Sequence, residues 1–412
     1  MQSLRIRGGR PLNGAITVSG GKNAALPILA AAVCFEDICT VHNCPNLTDI
    51  DTALEILTWL GALCDRRGTT VTVDPRPIFR WEIPETLMGK MRGSLFFMGP
   101  LMARFGHCRI HPPGGCPLGD RPMDYHIQGL RKLGAEVILS GCVECTGPMT
   151  GSEITLPYPS VGATENLLMA ALGAAGETVL YNAAREPEIT CLCEFLRSGG
   201  CKITGDGTST IRIRRGLPGR GEVTLIPDRM EAATYLCAAA SAGGHITLNR
   251  ARADHLSAVL EVLRRSGCEI EPGQSSLSLS ASRLCSPGTI ATGPYPAFPT
   301  DAQAPVMAAL LRAKGNTVIH ESVFFGRMHH IPALRTLGGH IISRENTAIV
   351  TGVSQLRGAM VECTDLRGGA ALAVAALATQ DETEITGLRH IMRGYEDIAG
   401  KLRALGADAI IS

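Results

Sequence analysis

Residues 231–267 read EAATYLCAAASAGGHITLNRARADHLSAVLEVLRRSG: a run of small apolar residues, a strand HITLNRA from His245, a charged loop, and a second helix that stops at Gly267. The first run is rich in Ala and Leu on all sides, the pattern of a helix buried between sheets. The second carries charge on one face and belongs on the outside. Moving outward, the same order recurs. KNAALPILAAAV, ICTVHN and DIDTALEILTWLGA form one copy, and ATENLLMAALGAA and ETVLYNA with the helix up to Gly199 form another. Two more are APVMAALLRA, NTVIHES and IPALRTLGG, then GAALAVAALA, TEITGL and IAGKLRALGA. The Leu-Gly or Ser-Gly stop falls at Gly61, Gly134, Gly199, Gly267, Gly338 and Gly406, a period that defines six supersecondary units.

Six alternating units make an α/β chain, and 412 residues fit two globular halves of three units better than one barrel. The expected division is 21–228 for one half and 1–20 with 229–412 for the other, with the active site in the cleft separating them. The first twenty residues precede the first copy and are free to pair in the second half.

Composition narrows the partners. Thirty-nine basic against 38 acidic side chains leave a formal charge of +1, so no global field draws nucleic acid or an anionic membrane. No stretch reaches the roughly 18 apolar residues of a membrane span, and the N-terminus lacks a signal-type apolar core; a cytoplasmic protein without membrane insertion is expected. Fifteen cysteines in such a chain read as reduced core residues. Cys142 and Cys145 lack the second ligand pair a zinc site requires, and neither a metal nor a cofactor is expected. No phosphate-loop or dinucleotide fingerprint is present.

The interior charges recur at two places in the repeat. Lys22, Arg92, Arg229, Asp301 and Arg367 stand at entrances of the buried helices, and Arg121, Arg185, Arg327 and Arg393 in the loops after the strands. Cations beside the positive end of a helix raise its attraction for an anion, and several converging point to a polyanionic ligand. The competing reading for any one of them is a local ion pair, as Arg185 with Glu186 or Glu188. His329 and His330 cannot share one helical face and are assigned to structure. The segment HPPGGCPLGDRPMDYHIQGL sets Cys116 among Pro and Gly residues, in the composition of an exposed lid loop, 112–121. A thiol there can act as acid, base or nucleophile.

These residues, with SGGKNAALPILAA, GGCPLGDRPMDYHI, PSVGATEN, NAAREPEI, PDRMEA, YPAFPTDAQAP, TDLRGGAAL and RGYEDIAGKLRALGA in order along the whole chain, resemble the enolpyruvyltransferase family that acts on UDP-N-acetylglucosamine. The resemblance implies two inside-out α/β domains, each of three βαβαββ-type units. It implies a transferase that moves the enolpyruvyl group of phosphoenolpyruvate to the 3-hydroxyl of UDP-N-acetylglucosamine with release of phosphate. The route is addition then elimination, and this is the first committed step of peptidoglycan synthesis, on which the cell wall, cell shape and division depend.

Residue by residue, the resemblance places Lys22, Arg121 and Arg393 on the phosphate, Arg327 and Arg367 on the carboxylate, and Asn23 beside the reacting hydroxyl. Asp301 is implied as the base and Cys116 as the lid cysteine that donates a proton. Arg92, Arg121, Pro122, Met123, Asp124, Tyr125, Ser160, Val161, Gly162, Asp301 and Val323 are implied to contact the sugar nucleotide, and the enzyme is expected to be a monomer with small-molecule substrates only. Two departures are local. Phe325 and Gly326 precede Arg327 where the family has an acidic-Asn pair, and Gly368 replaces a commoner Ala. The rival readings are the sister enzyme acting on shikimate 3-phosphate, whose first motif carries Ser-Lys-Ser rather than Lys22-Asn23, and a non-catalytic paralogue that senses UDP-N-acetylglucosamine.

Overall fold

The computed structural model describes residues 2–114 and 123–412. It divides into two compact units, one formed by residues up to Ser19 together with Pro227–Ser412, the other mainly by Gly20 to Ile226. Each unit holds three small sheets and its own continuous apolar core.

In the unit containing residues 227–412 the helices Arg229–Ala242, Thr300–Ala309 and Leu366–Leu377 pack against one another. Ala232, Ala233, Leu236, Cys237, Ala239, Met307, Ala308, Ala371, Ala375 and Ala376 are closed to solvent. Alanine-rich faces let these helices approach closely, and with no polar stripe they have no side to present to water. The shorter helices Ser257–Arg265, Ile331–Thr336 and Ile398–Ala404 end at the Gly stops. The left-handed backbone there is carried by Gly267, Gly338 and Gly406, as a helix C-terminus favours. The other unit repeats the pattern with two departures. Gly61 and Gly134 are left-handed, but after Pro187–Ser198 the turn is made by Gly200 and not by Gly199. Its second copy also differs: Arg92–Phe97 is a 3-10 segment leading into Met98–Phe105.

Among the described residues five of the six sheets share one plan, a parallel edge strand followed by three antiparallel ones, while His107–Ile110, Val143–Thr146 and Glu136–Leu139 form a three-stranded, wholly antiparallel sheet. Glu153–Thr155 lies parallel to Glu177–Tyr181, Gly221–Thr224 to Cys39–His42, and Thr289–Ala291 to Asn316–His320. The N-terminal strands complete two of these sheets. Leu12–Thr17 runs parallel to Gly244–Asn249, and Leu4–Arg7 sits between Glu382–Thr386 and Asp408–Ile411, antiparallel to both. Leu4, Ile6 and Leu12 are fully buried, so these strands are part of the core. Among the described residues no helix is long and apolar enough to cross a membrane. Fourteen described cysteines are free thiols, twelve of them buried.

The close parallel pairing at Gly244 is sensitive to a single atom. Its φ is +111°, and a Cβ would stand 2.0 Å from the Leu12 carbonyl oxygen. Gly244→Ala is expected to lower stability by about 3 kcal/mol, read as a shift of the urea midpoint. Gly68→Ala, also left-handed but with nothing within 4 Å, is expected to cost about 1 kcal/mol.

Candidate active site

Helix Thr300–Ala309 begins directly after Pro299, which puts Asp301 in its first turn, where a carboxylate meets the positive helix end. Arg367 is the second residue of Leu366–Leu377, whose N-cap Asp365 accepts the Arg367 and Gly368 amides at 3.0 and 2.9 Å. A Cβ on residue 368 would lie 2.6 Å from Asp365 Oδ2, a physical reason for Gly at that departure from the family pattern. The two entrances meet through side chains. Arg367 Nε and Nη2 donate to Asp301 Oδ2 at 3.2 and 2.9 Å, and Arg327 Nη2 lies 2.8 Å from Asp301 Oδ1.

Both guanidiniums are held from behind. Arg367 Nη1 donates to the Tyr395 hydroxyl at 3.1 Å, and that hydroxyl is 2.8 Å from Thr234 Oγ1. Arg327 Nη1 donates to Thr300 Oγ1, which donates to Glu321 Oε2. The other oxygen of the fully buried Glu321 accepts the Thr292 hydroxyl and the amides of Val323 and Phe324. Gly326 N donates to Asn346 Oδ1. The loop that carries Arg327 is therefore fixed by Glu321 and Asn346, while Phe325 is exposed.

Burial acts to raise the Asp301 pKa, but Arg367 and Arg327 together hold it well below the usual carboxylate range. With 26% of its side chain exposed, Asp301 can still be reached from solvent. Beside it Gln303, Arg327, His329, His330, Asp365 and Arg367 line a cavity with room for about one water molecule. Both amide atoms of Gln303 and His330 Nε2 are buried without a hydrogen-bond partner. His329 and His330, assigned to structure from sequence, thus border the same cavity as the arginine pair. Arg393 ends the 3-10 segment Leu388–Arg393, and Val323 lies in the Glu321-held loop. Arg229 stacks over the Tyr295 ring.

The other unit holds a second group. Lys22 opens helix Lys22–Ala31, followed by Asn23, and its Nζ is 3.1 Å from Asp49 Oδ2 with both side chains nearly buried. Ser160 caps helix Val161–Ala171, its Oγ accepting Ala163 N. Asp124 opens Asp124–Lys132, and Met123 and Tyr125 pack on the core. A Cβ on Gly162 would stand 3.7 Å from His126 Nε2, so the His126 ring borders the start of the Val161 helix.

Asn166 Nδ2 donates to Leu95 O and to His126 Nδ1, and its Oδ1 accepts Gly99 N. That assignment makes Nδ1 the acceptor and puts the ring proton on Nε2. Burial, and then Arg92, lower the His126 pKa to about 3, so the ring is neutral. Arg185 Nε donates to the Gly207 carbonyl, and its backbone amide donates to Glu186 Oε2 at 3.0 Å.

Cys116, Arg121 and Pro122 lie outside the described residues. Among the described residues no group of three or more His, Cys, Asp or Glu side chains could hold a metal ion. Sequence reasoning passed over His126, Asn166, Gln303, Glu321 and Tyr395. His126, Asn166, Gln303 and Tyr395 do lie in the quoted motifs GGCPLGDRPMDYHI, PSVGATEN, YPAFPTDAQAP and RGYEDIAGKLRALGA, and position in those motifs is the signal the sequence offers for them.

The EPSP synthase (3-phosphoshikimate 1-carboxyvinyltransferase) family matches residues 6–402 of the chain. A protein of Caldanaerobacter subterraneus subsp. tengcongensis named UDP-N-acetylglucosamine 1-carboxyvinyltransferase 2 is 42% identical, over 100% of this chain and 99% of its own. One of Granulibacter bethesdensis, named UDP-N-acetylglucosamine 1-carboxyvinyltransferase, is 44% identical over 99% of each chain. Among solved structures the enolpyruvyl transferase NikO from Streptomyces tendae superimposes with a TM-score of 0.91 at 27% identity, covering 100% of this chain and 99% of that one.

The neutral His126 makes a prediction about pH. In the unfolded chain its pKa is the ordinary 6.5 and in the fold about 3, so on acidification the unfolded state takes up the proton first. Its contribution is present above pH 6.5 and is lost as pH falls toward 3, about 2 kcal/mol between pH 6.5 and 5. In urea unfolding at successive pH values, His126→Gln should show a shallower acid loss than the parent; parallel curves would mean that the ring protonates in place.

Proposed function

This chain belongs to the EPSP synthase family of carboxyvinyltransferases, and on that premise we propose that it transfers the enolpyruvyl group of phosphoenolpyruvate to the 3-hydroxyl of UDP-N-acetylglucosamine, releasing phosphate. The choice of acceptor is carried by end-to-end identity of 42–44% to relatives named for UDP-N-acetylglucosamine. Peptidoglycan synthesis is the process it serves, and we place it in the cytoplasm as a monomer.

The chemistry asks for two proton movements in each half-reaction. The methylene carbon of phosphoenolpyruvate gains a proton while the sugar oxygen attacks the adjacent carbon and loses its own, giving a tetrahedral ketal. The ketal then loses a proton from the new methyl group as the carbon–oxygen bond to phosphate breaks, and the departing phosphate takes up a proton and leaves as hydrogen phosphate. We assign Asp301 to the hydroxyl proton and Cys116 to the methylene proton. Lys22, Arg121 and Arg393 are assigned to the phosphate, Arg327 and Arg367 to the carboxylate, and Asn23 to the reacting hydroxyl.

Ser160 caps the helix that Val161 opens, and we assign the first-turn amides of Val161 and Gly162, with Ser160, to the diphosphate. Arg92, Met123, Asp124 and Tyr125 stand on elements near that terminus, and together with Arg121, Pro122, Asp301 and Val323 they are assigned to the sugar nucleotide. The resting Asp301 is a weak base, because two guanidiniums stabilise its charged form. Its activation must accompany substrate binding.

Phosphate release is expected when phosphoenolpyruvate is supplied with UDP-N-acetylglucosamine and not with shikimate 3-phosphate; the reverse pattern would replace this reading by the sister activity. Asp301→Asn should reduce turnover roughly 100-fold or more with a smaller change in sugar-nucleotide binding, and near-parent turnover would remove Asp301 from the base role. The epoxide fosfomycin should alkylate Cys116, faster with UDP-N-acetylglucosamine present, as read by peptide mass spectrometry.

A further inference from the structure

Arg367 is already saturated where a carboxylate would approach it. Its Nε and Nη2 edge, the fork that matches a carboxylate in two parallel hydrogen bonds, is spent on Asp301 Oδ2, and its remaining Nη1 on Tyr395. Arg327 gives Nη2 to Asp301 and Nη1 to Thr300. Both guanidiniums are almost fully buried, at 7% and 5% side-chain exposure, and the Asp301 carboxylate is the most exposed member of the trio at 26%. An incoming carboxylate therefore meets a pair of arginines whose charge is compensated, and the group that must give way is the one nearest solvent.

We propose that Arg327 and Arg367 form a carboxylate-exchange site: in the resting protein they hold Asp301, and on binding the small carboxylate ligand takes the Arg367 fork and displaces the Asp301 side chain from it. The inference rests on the reading that this arginine pair faces the enolpyruvyl donor. The exchange conserves charge, since one carboxylate leaves the guanidinium as another arrives, and no proton or electron moves. Two buried cations never stand uncompensated, which would be costly in a water-poor site. Asp301, freed of one guanidinium, regains affinity for a proton. The base is thus restrained until the donor is seated, and the same event that seats the donor releases it. The supports behind the arginines, Tyr395 with Thr234 and Thr300 with Glu321, keep both guanidiniums in place while their partner changes.

The test uses pyruvate, which carries the carboxylate without the phosphate and cannot react. By calorimetric titration, Asp301→Asn should bind pyruvate about tenfold more tightly than the parent or better, because the built-in competitor has lost its charge. In a crystal structure of the parent soaked with pyruvate, Asp301 Oδ2 should have left Arg367. The second measurement stands even if the variant fails to fold. Equal or weaker binding by Asp301→Asn, no binding to either protein, or Asp301 still gripping both arginines beside a seated pyruvate would each overturn the exchange. Phosphate release by the parent from phosphoenolpyruvate and UDP-N-acetylglucosamine reads the proposed activity separately, so either can fail without the other.

Discussion

A helix apolar on every side can reach polar surroundings only at its two ends. That constraint governs both units. The first-turn amides of each buried helix need acceptors, and at three entrances short side chains supply them: Asp228 to Met230 and Glu231, Asp365 to Arg367 and Gly368, Ser160 to Ala163. Since the flanks are closed by sheets, Lys22, Asp228, Glu231, Asp365 and Arg367 lie buried at those entrances, and Glu321 is buried in the loop after a strand. Glu231 illustrates the tension this creates. Its carboxylate accepts Ser19 N and Lys401 Nζ at 2.7 and 2.6 Å, yet burial raises its pKa to about 7 against the pull of Lys401.

The six-unit period was legible because its signals are local. A left-handed turn after a helix demands Gly, and an all-apolar run of helical length demands burial. The shift from Gly199 to Gly200 was not legible, since two adjacent glycines satisfy the same requirement. The partners of Leu4–Arg7 were equally out of reach. Alternation in LRIR marks a strand with one buried face, but which edges receive it depends on sheets assembled from residues 382–386 and 408–411. The entrance positions of Lys22, Asp301 and Arg367 could be read from helix starts. The pairing of Asp301 with Arg327 and Arg367, the latter 66 positions away, could not, because it depends on how two helix ends approach in space.

The two groups of polar side chains set charge by opposite means. At Asp301 two cations overcome burial and keep a carboxylate ionised; at His126 burial prevails and a neighbouring cation adds to it, keeping a ring neutral. Asn166 completes the second arrangement, because an amide that gives one N–H to a ring nitrogen leaves that nitrogen no proton of its own. The fold therefore offers a fixed anion in one unit and a fixed neutral donor in the other, over a wide pH range.

The strand Leu4–Arg7 carries one more implication. It leaves the ribosome well before the strands it pairs with: Ser3 donates its hydroxyl to Glu384, 381 positions later, and exchanges backbone hydrogen bonds with Ser412. Its edges stay unpaired until residues 382–411 have been made, whereas the sheets of residues 20–226 find all their described partners within that span. The inserted unit can mature first, and the enclosing unit closes only when the last strand is delivered, so the order of synthesis makes the outer unit the later one to acquire its core.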